Sequence, residues 1–145
     1  KKLILTMSNF YVDATSNLQL TVNSDSSSIY TQTGVTSTSD GSAQTPSATA
    51  AQGWSSSYDW IGNGANCFTG STMRNYVEIE FLNYGDTSAY KMWRNTTYLQ
   101  SNTSQYKQNL STSIYRSASA ISTIKVKVES TNNFSGGTYK LWGLN

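Results

Sequence analysis

The sequence predicts an all-β domain, an antiparallel β-sandwich with a jelly-roll-like arrangement of strands. The main observation is that apolar and polar residues alternate, which gives a strand one buried face and one solvated face. The alternation is clearest at 18–22, 77–81 and 124–128. Weaker strand patterns cover 3–10, 28–35, 57–61, 88–94, 112–116 and 137–142. Seven to nine short strands in a chain of this length are typical of a sandwich or jelly roll.

The composition supports the same fold class. The 145 residues include 24 Ser, 19 Thr and 13 Asn but only one proline, Pro46. β-Branched and aromatic residues favour strands, and ten Tyr and four Trp are more than a disordered chain would carry. No segment keeps the 3.6-residue period of an amphipathic helix. We therefore predict a single domain over 1–145.

Turn and loop chemistry separates the predicted strands. Asn83–Asp86 lies between two strong strand patterns and has the residue types of a tight turn. Ser135–Gly137 is a second predicted turn, because glycine reaches positive φ without a steric penalty. The small polar run 36–57 is too long for a turn, and we predict a long surface loop there.

The net charge, the absence of His and the single Cys exclude several classes of protein. The net charge is only +2 and there is no basic run, so we expect no nucleic-acid partner. No apolar stretch approaches the length of a membrane span, so we expect no membrane insertion. The absence of His removes Ser-His-Asp chemistry and most zinc sites, and the single Cys67 excludes an intramolecular disulfide. We predict no enzyme activity, no metal and no cofactor.

Glu78 and Glu80 are the first candidate for chemistry. They are two residues apart on one predicted strand and therefore point from the same face. A pair of carboxyls is what a glycosidase needs across a sugar. The favoured interpretation is a solvated strand face, which we expect to lie opposite Lys125 and Lys127 on a neighbouring strand.

The densest aromatic cluster follows the predicted loop. Sugars stack on exposed rings and bond to nearby carboxylates, so this cluster is the best candidate for a glycan-binding site. Its residues are Trp54, Tyr58, Asp59 and Trp60. The alternative, which we favour, is that these aromatics anchor the long loop onto the core. We expect Trp93, Arg94 and Trp142 to be packing residues at strand ends.

The C-terminal run Ser113–Asn145 resembles a recurrent ending in virion structural proteins of tailed bacteriophages. In that family an aromatic-led strand is followed by a small-residue segment, a strand, an N-F-x-x-G-S turn and a final L-Y-G-I strand. This chain has Tyr115, then the segment 118–124, the turn 133–138 and the ending 141–144. The stretches 18–30 and 77–91 are also similar to family segments, in the same order.

The resemblance implies a β-sandwich on the outer surface of a virion, in a tail fibre, a baseplate or a capsid decoration. It also implies a homotrimer that contacts other virion proteins, and it supplies no catalytic residues. Family members usually have another strand before the segment that matches Lys1–Phe10. We therefore expect the chain to be the C-terminal domain of a longer protein.

The position of the last strand at the end of the chain suggests its role, because no onward connection has to be accommodated. We expect it to lie centrally in a sheet, with Phe134 and Leu141 buried and Gly136–Gly137 reversing the chain into it. The predicted function is a non-enzymatic module for virion assembly and adhesion. The alternative is a carbohydrate-binding receptor-recognition module that recognises a host surface glycan, and a polysaccharide depolymerase comes third.

Overall fold

The structure is a computed structural model that describes residues 1–39, 44–49, 57–62, 67, 69, 75–100 and 105–144, with only the backbone at 44–49. Within these residues the chain forms eleven β-strands and no helix. The strands are β1 Lys2–Val12, β2 Leu18–Val22, β3 Tyr30–Ser39, β4 Gln44–Thr49, β5 Asp59–Ile61, β6 Asn75–Leu82, β7 Lys91–Gln100, β8 Tyr106–Tyr115, β9 Ile124–Val128, β10 Phe134–Ser135 and β11 Thr138–Leu144.

The strands form two antiparallel sheets of unequal size. The large sheet has the order β10–β1–β6–β7–β8–β3–β4, and β11 pairs with β1 on the same side as β10. The small sheet has the order β5–β2–β9. The two sheets pack face to face, which confirms the prediction of an all-β antiparallel sandwich.

The apolar core lies between the small sheet and one half of the large sheet. Strand β6 shows the reason, because its residues alternate strictly between buried and half-buried from Asn75 to Leu82. Each large apolar side chain removed from water stabilises the fold by about 1.5–3 kcal/mol. The fully buried core includes Phe10, Leu18, Leu20, Val22, Tyr30, Ile61, Val77, Ile79, Phe81, Trp93 and Leu99.

The inner face of β7, β8 and β3 also carries buried polar side chains among apolar ones such as Tyr30, Trp93 and Tyr115. The buried polar side chains include Gln32, Asn95, Thr97, Asn109, Ser111 and Ser113. Several of them bond to one another, and Asn95 donates hydrogen bonds to the hydroxyls of Ser111 and Ser113 at 3.2 and 3.1 Å. Hydrogen bonding of this kind is what makes buried polar side chains tolerable.

Two predicted features between strands have different outcomes. The predicted turn is confirmed, since the Asp86 N–H donates to the Asn83 carbonyl at 3.0 Å. The predicted loop over 36–57 is wrong in its first half, where β3 continues to Ser39 and pairs with β4. The residues of this hairpin are small and mostly polar, so its sequence shows no alternation of apolar and polar residues. Residues 40–43 and 50–56 of that segment lie outside the described residues.

The C-terminal strand does not lie centrally in the sheet. Strands β10 and β11 both run antiparallel to β1 on its outer side, so the chain does not reverse at Gly136–Gly137. Leu141 is 57% exposed rather than buried, and Phe134 is half-buried. Gly137 is needed for close packing, because a Cβ there would lie 2.6 Å from the Cβ of Phe10.

Candidate functional site

The outer face of the large sheet carries an open trough, which we call the outer trough. Its volume is about 830 Å³, within the range of ligand sites in proteins. Strand register builds it from two rows of outward-facing residues. One row is Glu80, Arg94, Thr112 and Thr33, and the other is Glu78, Thr96, Leu110 and Val35.

Glu80 is held in place by two cations. Its carboxylate forms an ion pair with Lys2 at 2.5 Å and a second with Arg94, which lies opposite it on β7. Hydrogen bonds from Lys2 and Arg94 hold the pKa of Glu80 below its ordinary value. The predicted pairing with Lys125 and Lys127 is wrong, because those lysines lie on β9 in the small sheet.

Glu78 has a different environment from Glu80. One of its oxygens accepts a 2.8 Å hydrogen bond from the Tyr76 hydroxyl, and within the described residues no Lys or Arg forms an ion pair with it. Burial, together with Glu78, raises the pKa of Tyr76. The Tyr76 ring packs against Tyr98 of β7 with centroids 6.2 Å apart. The two tyrosines therefore form the border of the trough next to Glu78 and Thr96.

The floor of the trough combines hydroxyl groups with apolar side chains. The hydroxyls of Thr33, Thr96 and Thr112 make no side-chain hydrogen bond to another described residue. Leu110 and Val35 lie opposite each other and are 53% and 47% exposed. A surface of this kind can contact a ligand that has both polar edges and apolar faces.

The predicted glycan cluster is divided by the structure. Trp54 lies outside the described residues. Tyr58 and Trp60 are half-buried and pack edge to face, with centroids 4.8 Å apart. The Asp59 side chain projects from the opposite face of β5 to Trp60 and is only 1% exposed. Its carboxylate is therefore out of reach of a sugar that stacks on Trp60.

Asp59 instead joins the two sheets. Its carboxylate accepts hydrogen bonds from the Trp93 indole N–H at 2.7 Å, the Ser113 hydroxyl at 2.8 Å and the Asn95 amide at 3.2 Å. Burial raises the pKa of Asp59 to about 6. The neighbouring Gln32 amide bonds to the Trp60 carbonyl at 2.7 Å and extends the same contact.

The described residues offer neither a metal site nor an accessible thiol. These residues hold no group of three His, Cys, Asp or Glu side chains that could bind a metal ion. Cys67 is buried, and burial raises the pKa of its thiol. No helix in the described part of the chain is long and apolar enough to cross a membrane.

Comparison with known proteins gives no relative. No protein-family model, no curated protein and no solved structure matches this chain.

Sequence reasoning missed the outer trough because its two rows are assembled across strands. The alternation of β6 does place Tyr76, Glu78 and Glu80 on one face. The sequence gives no sign that Arg94 and Thr96 face these residues from β7 or that the sheet face forms a concavity. Trp93 and Arg94 lie in the third and fourth positions of β7 rather than at a strand end, and Arg94 is exposed.

Proposed function

We propose that the chain is a non-enzymatic attachment module on the outer surface of a tailed-bacteriophage virion, in a tail fibre, a baseplate or a capsid decoration. The resemblance of Ser113–Asn145 suggests the class of protein. The observation that carries an attachment role is the outer trough, which presents unused hydrogen-bonding groups on a sheet. Side chains on paired strands keep their spacing, so the surface is pre-organised for contact.

The second candidate function is carbohydrate binding in the trough. Sugar rings present apolar faces and hydroxyl edges, and the trough offers matching groups in the Leu110 and Val35 side chains, the Glu78 carboxylate and the threonine hydroxyls, with the Tyr98 ring at its border. Glu78 accepts only one hydrogen bond from the described residues, so it has room to accept others from a ligand. The low net charge of the chain fits a neutral or weakly charged glycan.

The trough is poorly arranged for glycoside hydrolysis. Hydrolysis needs one carboxyl with a raised pKa on one side of the scissile bond and a second carboxyl on the other side. Glu80 has a lowered pKa because two cations contact it. Glu78 and Glu80 project from the same strand and hence from the same wall of the trough. These facts support attachment rather than depolymerisation.

Attachment through weak sites is strengthened when several copies act together. Linked sites convert later binding events into intramolecular ones, which raises the overall avidity. We therefore propose that the chain works as a homo-oligomer next to other virion proteins, with the homotrimer implied by the resemblance as the expected assembly.

The test is binding of the labelled chain to bacterial cells and to a glycan array. We expect selective binding that is lost in Tyr98→Ala and Glu78→Gln. Tyr90→Ala is the matched control, because Tyr90 is 62% exposed and lies outside the trough. If Trp60→Ala were the only one of these variants to lose binding, the binding site would lie on the small sheet instead.

A negative result is equally informative. Binding to cells without any glycan signal would reject the carbohydrate candidate and leave a protein surface as the target. Binding to neither would overturn the attachment proposal. Release of reducing sugar ends from a bound polysaccharide would show catalysis and contradict the non-enzymatic part.

A further inference from the structure

Strand β11 is an exposed edge of the large sheet. All seven of its residues are exposed, and no described strand pairs with its outer side. Four of its side chains are large and apolar, with 47–57% of their surface exposed: Tyr139, Leu141, Trp142 and Leu144. Proteins usually protect such an edge, because its free N–H and C=O groups invite pairing with another strand.

The opposite edge of the same sheet is protected. Strand β4 carries Pro46, which has no N–H to offer, and its sequence QTPSAT contains no large apolar residue. The contrast indicates that the exposure of β11 is a specific property of that edge.

Both faces of β11 are apolar. Tyr139 and Leu141 lie opposite Met7 and Leu5 and line a groove of about 260 Å³ that opens between the two sheets. Trp142 lies on the outer face, where Lys140 is placed 5.7 Å from the centre of its ring. A second strand placed against β11 would therefore cover apolar side chains on both faces.

We propose that β11 pairs with β11 of a second copy of this chain, antiparallel and around a two-fold axis at Leu141. The pairing would join the two large sheets edge to edge. It does not depend on the outer trough, and it is a contact between pairs of copies whatever three-fold contacts exist elsewhere on the surface. An isologous contact of this kind needs one surface that is complementary to itself.

Complementarity selects the register of the pair. Residues that face each other in such a pair lie on the same face of the sheet, so the axis passes through one residue position. With the axis at Leu141, all seven residues of β11 pair, and Lys140 faces Trp142 of the second copy on each side of the axis. This arrangement allows two cation–π contacts. It also places Tyr139 opposite Gly143, where the space around the glycine is open.

The neighbouring registers are worse. An axis at Lys140 brings two ammonium groups face to face, which is destabilising. An axis at Trp142 pairs only the five residues 140–144 of β11 with one another and places Lys140 opposite Leu144. The chosen register would bury on the order of 1,000 Å² over both copies, which is the lower limit for a specific interface. Interfaces at this lower limit are typical of weak contacts, so we expect association at micromolar concentration or above.

Cysteine cross-linking tests both the contact and its register. Opposed residues in an antiparallel pair have Cβ atoms about 4.5–5.5 Å apart, close enough for a disulfide after small movements. We expect Leu141→Cys to give a cross-linked dimer under a mild oxidant. Lys140→Cys and Trp142→Cys should cross-link when mixed with each other but not alone. The unmodified chain controls for Cys67, which is buried.

A charge substitution tests the contact without an oxidant. Leu141→Lys places two cations opposite each other and should raise the dissociation constant at least tenfold in sedimentation experiments. Met92→Lys is the matched control, because Met92 is 45% exposed, lies on β7 and does not line the outer trough. An unchanged mass in Leu141→Lys would overturn the proposal. Cross-linking of Lys140→Cys or Trp142→Cys alone would overturn the register.

Discussion

The indole N–H of Trp93 donates a 2.7 Å hydrogen bond to the carboxylate of Asp59, and this contact joins the small sheet to the middle of the large sheet. Ser113 and Asn95 donate to the same carboxylate from β8 and β7. Within the described residues no Lys or Arg forms an ion pair with Asp59. A buried carboxylate with hydrogen bonds but no cation is costly to ionise, so burial raises its pKa to about 6.

The raised pKa predicts that folding stability falls between pH 4 and pH 6. The folded chain holds the Asp59 proton up to about pH 6, whereas the unfolded chain releases it near the ordinary value of 3.8. The stabilisation is therefore complete below pH 3.8 and is lost as the pH rises through 6, by up to about 3 kcal/mol. Asp25 has a lowered pKa and opposes this trend below pH 4. Urea unfolding from pH 3 to 8 should show maximum stability near pH 4–5.

Asp59→Asn provides the control for this pH dependence. The amide oxygen can still accept from Trp93 and Asn95, and the amide N–H can donate to the Ser113 hydroxyl, which is free to rotate. We expect the variant to match or exceed the stability of the wild type at pH 7. Its stability should stay level from pH 4 to 6, and a slope equal to that of the wild type would assign the effect to another group.

Local alternation was enough to predict the fold class and the strands that pack on the apolar core. It located β2, β6 and β9 closely, because each alternates between one apolar and one polar face. It failed at β4 and in the longer parts of β7 and β8, where the inner face is polar. Asn109 and Ser113 are buried there, and nothing in their local sequence distinguishes them from loop residues.

Candidate sites were harder to predict than strands because they depend on which side chains meet. Asp59 lies between two aromatic residues in sequence, which suggested a surface patch, but the strand turns its carboxylate into the core. Trp142 was expected to pack, yet it is 51% exposed because β11 is an edge strand. Both outcomes depend on how the strands pair and pack, and the local alternation of residues does not reveal that.

Gly34→Ala should destabilise the protein by about 1–3 kcal/mol. A Cβ at Gly34 would lie 2.5 Å from the Ser111 Cβ and 2.8 Å from the Leu110 carbonyl oxygen, so β3 and β8 would have to separate. Gly85→Ala is the matched control, because its added Cβ meets nothing within 4 Å. Thermal unfolding of both variants checks the prediction, and equal melting temperatures would contradict it.

Tyr30→Phe should cost about 1–3 kcal/mol of folding stability, because it leaves buried polar groups without partners. The Tyr30 hydroxyl accepts a 3.1 Å hydrogen bond from the Val22 N–H and donates a 2.8 Å hydrogen bond to the Asp25 carbonyl. Phenylalanine keeps the ring packing against Trp93, so the loss can be assigned to the hydroxyl. Urea unfolding measures the loss, with the exposed Tyr90→Phe as the control.

Because the Tyr30 hydroxyl is buried, we also predict a decrease in folding stability at alkaline pH. Burial raises the pKa of Tyr30 to about 12, whereas the unfolded chain loses this proton near 10. The folded state therefore binds the proton more tightly, and stability should fall as the pH rises from 10 to 12. Tyr30→Phe should reduce this fall while Tyr90→Phe leaves it intact. If both variants kept the full decrease, the hydrogen-bonded Tyr30 hydroxyl would not be its source.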